Sequence, residues 1–253
     1  MMIINPYLTG SSQGGFVPSG NLTVWLKADV GVTYNISNQV ATWSDQSGNI
    51  LDAFQNTTSY KPTYVAANAN FNNQPSINFV AGSDDFLYLP TSALLNFSSG
   101  FTIYVAGKLN AITNTFNTII QHSNGSTWTQ GWGIFYYNAD PGYRFFVNNW
   151  NNAANYVSLN QSNTASSQIY KFKWDGTTIT AAILGSVPVS GTKAFSGPYT
   201  NPSANNPEIA RGASTIYDTS CDISEILMYN SGSLGASNEA GIETYLKTKY
   251  GIA

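Results

Sequence analysis

The closing segment, Cys221 to Gly251, constrains the fold most, because it contains the clearest helical pattern of the chain. The residues CDISEILMYN predict a strand, which the polar run Asn230-Ser231-Gly232-Ser233 then ends. Beyond that turn, four side chains recur at helical spacing: Ile242, Tyr245, Leu246 and Lys249. We place the N-cap of this helix at Ser237 and its end at Gly251. No other segment has a comparable helical signature, so the chain is predicted to be all-β with one C-terminal helix.

Short strand patterns separated by turn residues fill the rest of the chain. In FTIYVAGK (101–108) the residues alternate between two faces that are both fairly apolar, as expected for a central strand of a sandwich. The segments 168–174 and 177–184 flank Asp175-Gly176, which is a hairpin signal. About a dozen such strands without a βαβ rhythm predict a sandwich of two antiparallel sheets.

The first 20 residues differ from the rest because they are rich in Gly, Ser, Asn and Pro. We interpret residues 1–20 as an extended N-terminal arm and residues 21–253 as one β domain. Four apolar residues of the arm are candidates for contacts with a lattice or a neighbouring subunit: Ile3, Ile4, Tyr7 and Phe16. The alternative interpretation is a frayed terminus.

The charge content is low, because 9% of the residues are charged, against about 25% in ordinary globular proteins. With a net charge of -3 the sequence predicts no basic face, which argues against a nucleic-acid partner. A surface rich in Asn, Ser, Thr and Gln suits lattice contacts, glycan contacts or simple inertness. The opening MMIINPYLTG does not have the pattern of a secretory signal, and we find no segment of transmembrane length.

The sequence offers little for catalysis, so we expect a protein that is not an enzyme. Glycoside cleavage needs two carboxyl groups that flank one bond. The four glutamates are Glu208, Glu225, Glu239 and Glu243, and no Glu-x-Asp-x-x-Glu run occurs. The lone His122 is interpreted as a surface or hydrogen-bonded residue, and Cys221 as a small buried apolar residue. The sequence contains no Cys/His cluster that would indicate zinc.

Calcium is the one metal that the sequence leaves open. Asp45, Asn49 and Asp52 could supply oxygen ligands from one loop, and Asp84 with Asp85 is a second acidic pair. The alternative is that Asp45 and Asp84 bond the backbone of their own turns. We therefore expect no cofactor, with calcium as the open alternative.

Aromatic residues accumulate in an Asn-rich region between positions 128 and 150. The candidates for stacking against a glycan or for contacting a partner are Trp128, Trp132, Tyr136, Tyr143 and Trp150. The alternative is that these rings fill the core or a subunit interface, where Tyr and Trp are enriched.

Several blocks occur in an order that resembles one family. They are VWLKADVGV, VATWSDQSGN, KPTYV, QPSINFVAGSDDFLYL, FTIYVAGK, KWDGTTIT, DISEILMYN and IETYLKTKYGI. Together they resemble laminin-G-like domains of the concanavalin A-like jelly-roll class over roughly residues 22–252. The resemblance implies two antiparallel sheets with one concave face. Ile50 stands where family members often have a second Gly after the Asp-x-Ser-Gly-Asn run, so the resemblance carries no loop function over.

Relatives of this class include glycan-binding modules, adhesion modules and phage virion proteins. We expect a non-enzymatic bacteriophage virion structural protein, located in the virion, because the chain has little charge, no secretory signal and no catalytic partner domain. A capsid decoration (cement) protein is favoured over a tail fibre, since no coiled coil or repeat is visible. Its expected partners are the major capsid protein and further copies of itself, with a trimer favoured.

The alternative function is a carbohydrate-binding or host-receptor-binding (tail or adhesion) module. In that case the partner is a cell-surface glycan, and the aromatic region between Trp128 and Trp150 is its binding surface.

Overall fold

The computed structural model describes residues 18, 20–124, 127–161, 166–195, 197–202, 204–212 and 217–253. The described residues form 17 β-strands and one α-helix. The strands are β1 (Leu22–Lys27), β2 (Val32–Tyr34), β3 (Val40–Trp43), β4 (Ala53–Phe54), β5 (Thr63–Asn68), β6 (Gln74–Phe79), β7 (Leu87–Tyr88), β8 (Phe101–Ala111), β9 (Phe116–His122), β10 (Trp132–Tyr137), β11 (Gly142–Val147), β12 (Tyr156–Leu159), β13 (Gln168–Trp174), β14 (Thr178–Leu184), β15 (Val189–Ala194), β16 (Glu208–Ile209) and β17 (Ser220–Tyr229). The helix is α1 (Ala236–Tyr250). The arm candidates Ile3, Ile4, Tyr7 and Phe16 lie outside the described residues.

The strands form two antiparallel sheets. The eight-stranded sheet has the order β15-β14-β13-β8-β17-β6-β5, with β1 also paired to β17. The nine-stranded sheet has the order β12-β11-β10-β9-β16-β7-β4-β3-β2. The predicted fold, an all-β concanavalin A-like jelly-roll sandwich with one C-terminal helix, is confirmed. None of the described helices is both long enough and apolar enough to cross a membrane.

The main core lies between the two sheets, and strand alternation decides which side chains enter it. In β8, Phe101, Ile103 and Val105 belong to this core. Tyr104 and Ala106, one position out of phase, pack instead in a second cluster with the helix. The alternation predicted for FTIYVAGK is therefore confirmed, because successive side chains of a strand point to opposite faces.

Helix α1 covers the outer face of the eight-stranded sheet through Ile242, Leu246 and Tyr250. Its predicted end at Gly251 is confirmed, since this residue is left-handed with φ +63°. The predicted N-cap at Ser237 is wrong. The N-cap is Gly235, whose carbonyl accepts the first hydrogen bond of the helix from the Glu239 N–H at 3.0 Å.

The outer face of the nine-stranded sheet has two different halves. Over β9, β10 and β11 it is covered by a third cluster, made of Phe116, Trp128, Phe135 and Phe146 with Tyr217 against them. Over β16 and β7, and reaching the end of β9, the same face carries a pocket. The two outer faces of the sandwich therefore differ: a helix covers one, whereas the other has an aromatic cluster over one half and a pocket over the other half.

Candidate functional site

Three strands from distant parts of the chain place polar side chains in one row on the nine-stranded sheet. Glu208 of β16 pairs with Tyr88 of β7 on one side and with Gln121 of β9 on the other. Directly paired residues project to the same face of a sheet. Their neighbours Leu87 and Ile209 belong to the core between the sheets, so this row lies on the outer face.

A pocket of about 470 Å³ stands over this row. Its lining includes Phe86, Tyr88, Gln121, Asn206, Glu208 and Arg211. The pocket, which Asn205 also lines, thus brings together a carboxyl group, a guanidinium, three side-chain amides and two aromatic rings. A concave site with few convergent polar groups is the usual form of a small-molecule site in proteins.

Glu208 is the carboxyl group at the centre of the pocket. Its Oε2 accepts a hydrogen bond from Gln121 Nε2 at 2.8 Å. Burial raises the pKa of Glu208 to about 7, against the opposing effects of the Arg211 charge and of the Gln121 hydrogen bond. Near neutral pH this group therefore exists in both protonation states, so it can accept or donate a hydrogen bond to a ligand.

Gln121 supplies an acceptor that nothing in the described part of the chain uses. The residue is 2% exposed, and its Oε1 is buried with no hydrogen-bond partner among the described residues. A buried acceptor without a partner is costly and is most often satisfied by water or a ligand. Gln121 lines the pocket, but its Oε1 is covered by protein atoms, so the contribution of this residue is to hold Glu208 through Nε2.

Arg211 closes one side of the pocket. Its guanidinium lies over the Phe86 ring, 4.1 Å from the ring centroid. Its Nε is 4.0 Å from Oδ1 of Asp218, which is fully buried. Burial, followed by the contact with the Asp84 carboxyl, raises the pKa of Asp218 to about 8, while Arg211 opposes this shift. Arg211 therefore lines the pocket between an aromatic ring and a buried acid.

The predicted aromatic candidates are placed elsewhere. Trp132, Tyr136 and Tyr143 lie in the core between the sheets, at 0 to 3% exposure. Trp128 is buried in the cluster on the outer face, where its ring stacks on Phe146 at 5.8 Å. The burial agrees with the alternative that these rings fill the core, and it removes these four candidates for stacking against a glycan. Packing of both faces of one aromatic-rich sheet accounts for their position.

Trp150 is the remaining aromatic candidate, and it is half-buried. It packs against the edge of Phe116 at 4.7 Å and near Tyr137 at 5.6 Å. It lies at the covered half of the face and is not among the residues of the pocket.

The loop predicted as a calcium alternative is bonded internally. The Asp45 carboxylate accepts from the backbone N–H groups of Trp25, Ser47 and Leu51 at 2.8 to 3.1 Å. Asp52 accepts the Asp45 N–H at 2.8 Å, and Asn49 donates its amide to the Thr23 carbonyl at 2.9 Å. These bonds support the turn interpretation. No group of three His, Cys, Asp or Glu side chains that could hold a metal ion occurs in the described ranges.

The other residues considered for catalysis, namely His122, Cys221 and Glu225, lie in surroundings that indicate a structural role. His122 is 2% exposed, its Nε2 lies 3.0 Å from the Asn205 carbonyl oxygen, and burial lowers its pKa to about 4. Cys221 is buried in the core, as predicted, and burial raises its pKa. Glu225 is bonded to the helix and lies on the opposite side of the sandwich from the pocket.

Sequence reasoning therefore missed the pocket. Glu208 was noted as one of four glutamates, and Arg211 and Gln121 were not singled out. A usable signal exists in EIAR (208–211), where two charged residues bracket two apolar ones next to a turn. That signal becomes specific only when β7 and β9 are known to flank β16.

The fold is shared with solved structures of other proteins. The binding domain of Paraclostridial Mosquitocidal Protein 1 has a TM-score of 0.59 and 14% identity, covering 89% of this chain and 52% of that one. Trypanosoma rangeli sialidase in complex with the inhibitor DANA has a TM-score of 0.59 and 13% identity, covering 90% of this chain and 33% of that one. A GH54 α-L-arabinofuranosidase soaked with a cyclic sulfate inhibitor has a TM-score of 0.60 and 12% identity, covering 93% of this chain and 61% of that one.

This chain thus spans between a third and about three fifths of the length of these structures. No protein-family model matches the sequence, and no curated protein sequence matches it either. At 12 to 14% identity, the likeness to the solved structures shows a common β-sandwich fold.

Proposed function

We propose that this protein is a carbohydrate-binding module and that the pocket around Glu208 is its sugar site. The observation that supports this most is the composition of one row, in which Tyr88, Glu208 and Gln121 stand side by side beneath a cavity. Sugars offer hydroxyl groups that both donate and accept hydrogen bonds, and C–H faces that pack on aromatic rings. The row contains a partner for each of these features.

Each polar group has a distinct role in this proposal. Gln121 orients the Glu208 carboxyl group through the hydrogen bond from its Nε2 at 2.8 Å. Glu208 accepts or donates according to its protonation state, because its pKa is raised to about 7. Arg211 donates to a sugar oxygen from its place over Phe86. Tyr88 offers a half-buried ring beside them.

The pocket suits binding better than cleavage of a sugar. Cleavage of a glycosidic bond commonly uses two carboxyl groups on either side of it. Among the described residues that line the pocket, Glu208 is the one carboxylic acid. Asp218 and Asp84 lie behind Arg211, and neither lines the cavity. The proposed role is therefore non-enzymatic, in line with the expectation from the sequence.

Two further considerations bear on the wider role. The solved structures of this fold include a binding domain, a sialidase and an arabinofuranosidase, which supports a sugar-related role in general terms. The more specific proposal of a virion protein that decorates a capsid stays a prediction from the sequence. Its test, loss of particle attachment on removal of residues 1–20, concerns a segment almost wholly outside the described residues.

The test is a printed array of neutral, amino-, uronic-acid- and sialic-acid-containing oligosaccharides. Wild type, Glu208→Ala, Tyr88→Ala and the matched control Trp150→Ala are compared at equal fraction folded, measured by circular dichroism. We expect wild type and Trp150→Ala to bind the same sugars. Each pocket variant should lose about tenfold in affinity or more, the effect of one lost hydrogen bond to a charged group or one lost ring contact. Loss of binding in Trp150→Ala with retention in Glu208→Ala would reassign the site to the aromatic region. No binding by wild type would overturn the proposal.

A further inference from the structure

The outer face of the nine-stranded sheet carries one continuous row of paired positions that crosses every strand. From the pocket the row runs in one direction through Tyr88, Phe54, Thr42 and Thr33. In the other direction it runs through Gln121, Gly133, Phe146 and Tyr156. Adjacent strands are about 4.8 Å apart, so the four steps from Glu208 to Thr33 span about 19 Å.

One end of this row is closed. A Cβ atom on Gly133 would lie 2.5 Å from the Phe146 ring, so that ring already occupies the space above the glycine. The Trp128 ring in turn stacks on Phe146 at 5.8 Å and 16°. A ligand in the pocket therefore cannot extend along the row toward β11 and β12.

The other end of the row is open and amphipathic. Phe54 and Tyr88 are half-buried, and their ring centroids are 4.1 Å apart with the planes tilted by 58°. Beyond them Thr42 and Thr33, also half-buried, bring hydroxyl groups into the same row. A ligand that follows this part of the row would meet the two aromatic rings first and the two hydroxyl groups next. Successive groups are separated by the spacing of neighbouring strands.

Resting on the proposed sugar site, we infer that the ligand is an internal stretch or an end of a polysaccharide chain, not a lone monosaccharide. One sugar unit occupies the Glu208 pocket, and the chain continues over the Tyr88–Phe54 step toward Thr42 and Thr33. The row sets the direction of the chain across the strands, with Trp128 as its stop. Phe54 is a specificity-determining residue, because it contacts a second sugar unit and leaves the first untouched.

The ordinary role of a cross-strand aromatic pair is to stabilise the sheet. That role alone predicts that Phe54→Leu lowers the free energy of unfolding without changing how affinity depends on ligand length. The two roles are therefore separable by measurements on one variant.

The experiment measures affinity by isothermal titration calorimetry for methyl β-glycosides of glucose, xylose and N-acetylglucosamine. Their β-1,4-linked dimers, trimers and tetramers are titrated in the same way. For the series that binds, we expect the wild-type affinity to rise about tenfold or more from the methyl glycoside to the tetramer. Phe54→Leu should lose most of this rise and keep the affinity for the methyl glycoside. Tyr156→Ala, at the closed end of the row, is the matched control and should behave as wild type.

The outcomes separate this inference from the proposal on which it rests. Equal affinity for the methyl glycoside and the tetramer in wild type, with Phe54→Leu unchanged, would overturn the chain-binding inference and leave the pocket as a monosaccharide site. A length dependence that Tyr156→Ala abolishes and Phe54→Leu keeps would overturn the direction assigned to the chain. Failure of every glycoside and of the whole array to bind wild type would overturn the sugar site and this inference with it.

Discussion

The two outer faces of this sandwich differ in how many hydrogen bonds a buried carboxyl group accepts there. On the eight-stranded sheet, Glu225 is fully buried beneath α1 and accepts from Trp25 Nε1, Lys249 Nζ and the Tyr250 hydroxyl at 2.5 to 2.8 Å. On the nine-stranded sheet, Glu208 accepts one hydrogen bond from a described side chain, and its pKa is raised to about 7. A carboxylate with its full set of donors fixes a helix, whereas one with a single donor beside a cavity is available to a ligand.

The same contrast holds for the other charges on the two faces. Lys171 is 2.6 Å from Glu243 and 2.9 Å from Glu239, so these charges join α1 to β13. Near the pocket, Arg211 has its closest acid, Asp218, at 4.0 Å. The face covered by the helix thus has closely paired charges, whereas the guanidinium at the pocket is loosely paired, unlike that of Arg144 on the covered half of the same face, which lies 3.1 Å from Asp140.

The largest expected effect is on the complete face. Glu225→Ala should lower the free energy of unfolding by about 3 to 5 kcal/mol, because the Trp25 N–H and the buried Tyr250 hydroxyl lose their acceptor and Lys249 keeps only Asp29, at 3.1 Å, of its two acidic partners. The measurement is urea unfolding followed by tryptophan fluorescence. Glu243→Ala is the matched control, since its side chain is 26% exposed, and should cost less than about 1 kcal/mol. Equal effects of the two changes would remove the distinction between the faces.

The next effect concerns the covered half of the nine-stranded sheet. Gly133→Ala should destabilise by about 1 to 3 kcal/mol, because the new methyl group meets the Phe146 ring at 2.5 Å and must displace it from Trp128. Gly185→Ala, whose nearest atom would lie at 3.5 Å, should be close to neutral. Thermal unfolding of the two variants checks the difference. A neutral Gly133→Ala would show that the row is not closed at this point.

A smaller effect is expected from the pocket carboxyl as a function of pH. The pKa of Glu208 is raised in the folded state, so its contribution to stability is complete below pH 4.5 and is lost as the pH rises to about 7. Glu208→Gln has no carboxyl group that ionises at this position, so it should not show this loss of stability. The free energy of unfolding of the variant relative to that of wild type should therefore be about 1 to 2 kcal/mol higher at pH 8 than at pH 4.5. Urea unfolding at both pH values measures it. The same change in the free energy of unfolding between the two pH values in both proteins would contradict the raised pKa of Glu208.

The smallest effect is expected from Lys173, whose ammonium pairs with Glu239, because Glu239 keeps its second partner Lys171 at 2.9 Å when this charge is removed. Lys173→Met keeps the side-chain stem and removes the charge. It should cost about 0.2 to 1 kcal/mol, with the difference shrinking as salt is added. A loss that does not change with salt would contradict the ion pair as the source of the effect.

The fold was predictable because local signals suffice for it. The alternation in 101–108, the hairpin signal at Asp175-Gly176 and the stripe on 236–250 depend on neighbouring residues. The strands that the sequence did not reveal include β12 and β15. In β15, VSGTKA is mostly exposed and polar, so no apolar period marks it.

The site was not predictable in the same way. Gln121 and Glu208 are 87 residues apart in the chain and meet only because β9 pairs with β16. Most of the aromatic candidates for glycan stacking are buried because both faces of β10 are covered, with Ile134 in the core and Phe135 in the outer cluster. Aromatic density therefore marks packing on two sides of this sheet, whereas the pocket is centred on β16, two strands from β10 in the sheet order.

The most direct test of the central claim is a crystal structure of the protein soaked with the oligosaccharide that binds most tightly on the array. The account predicts sugar density over β16, with hydroxyl oxygens within hydrogen-bond distance of Glu208 and Arg211. It also predicts that the chain leaves the pocket across Tyr88 and Phe54. Density against Trp150, or on the face covered by α1, with an empty pocket over Glu208 would contradict it.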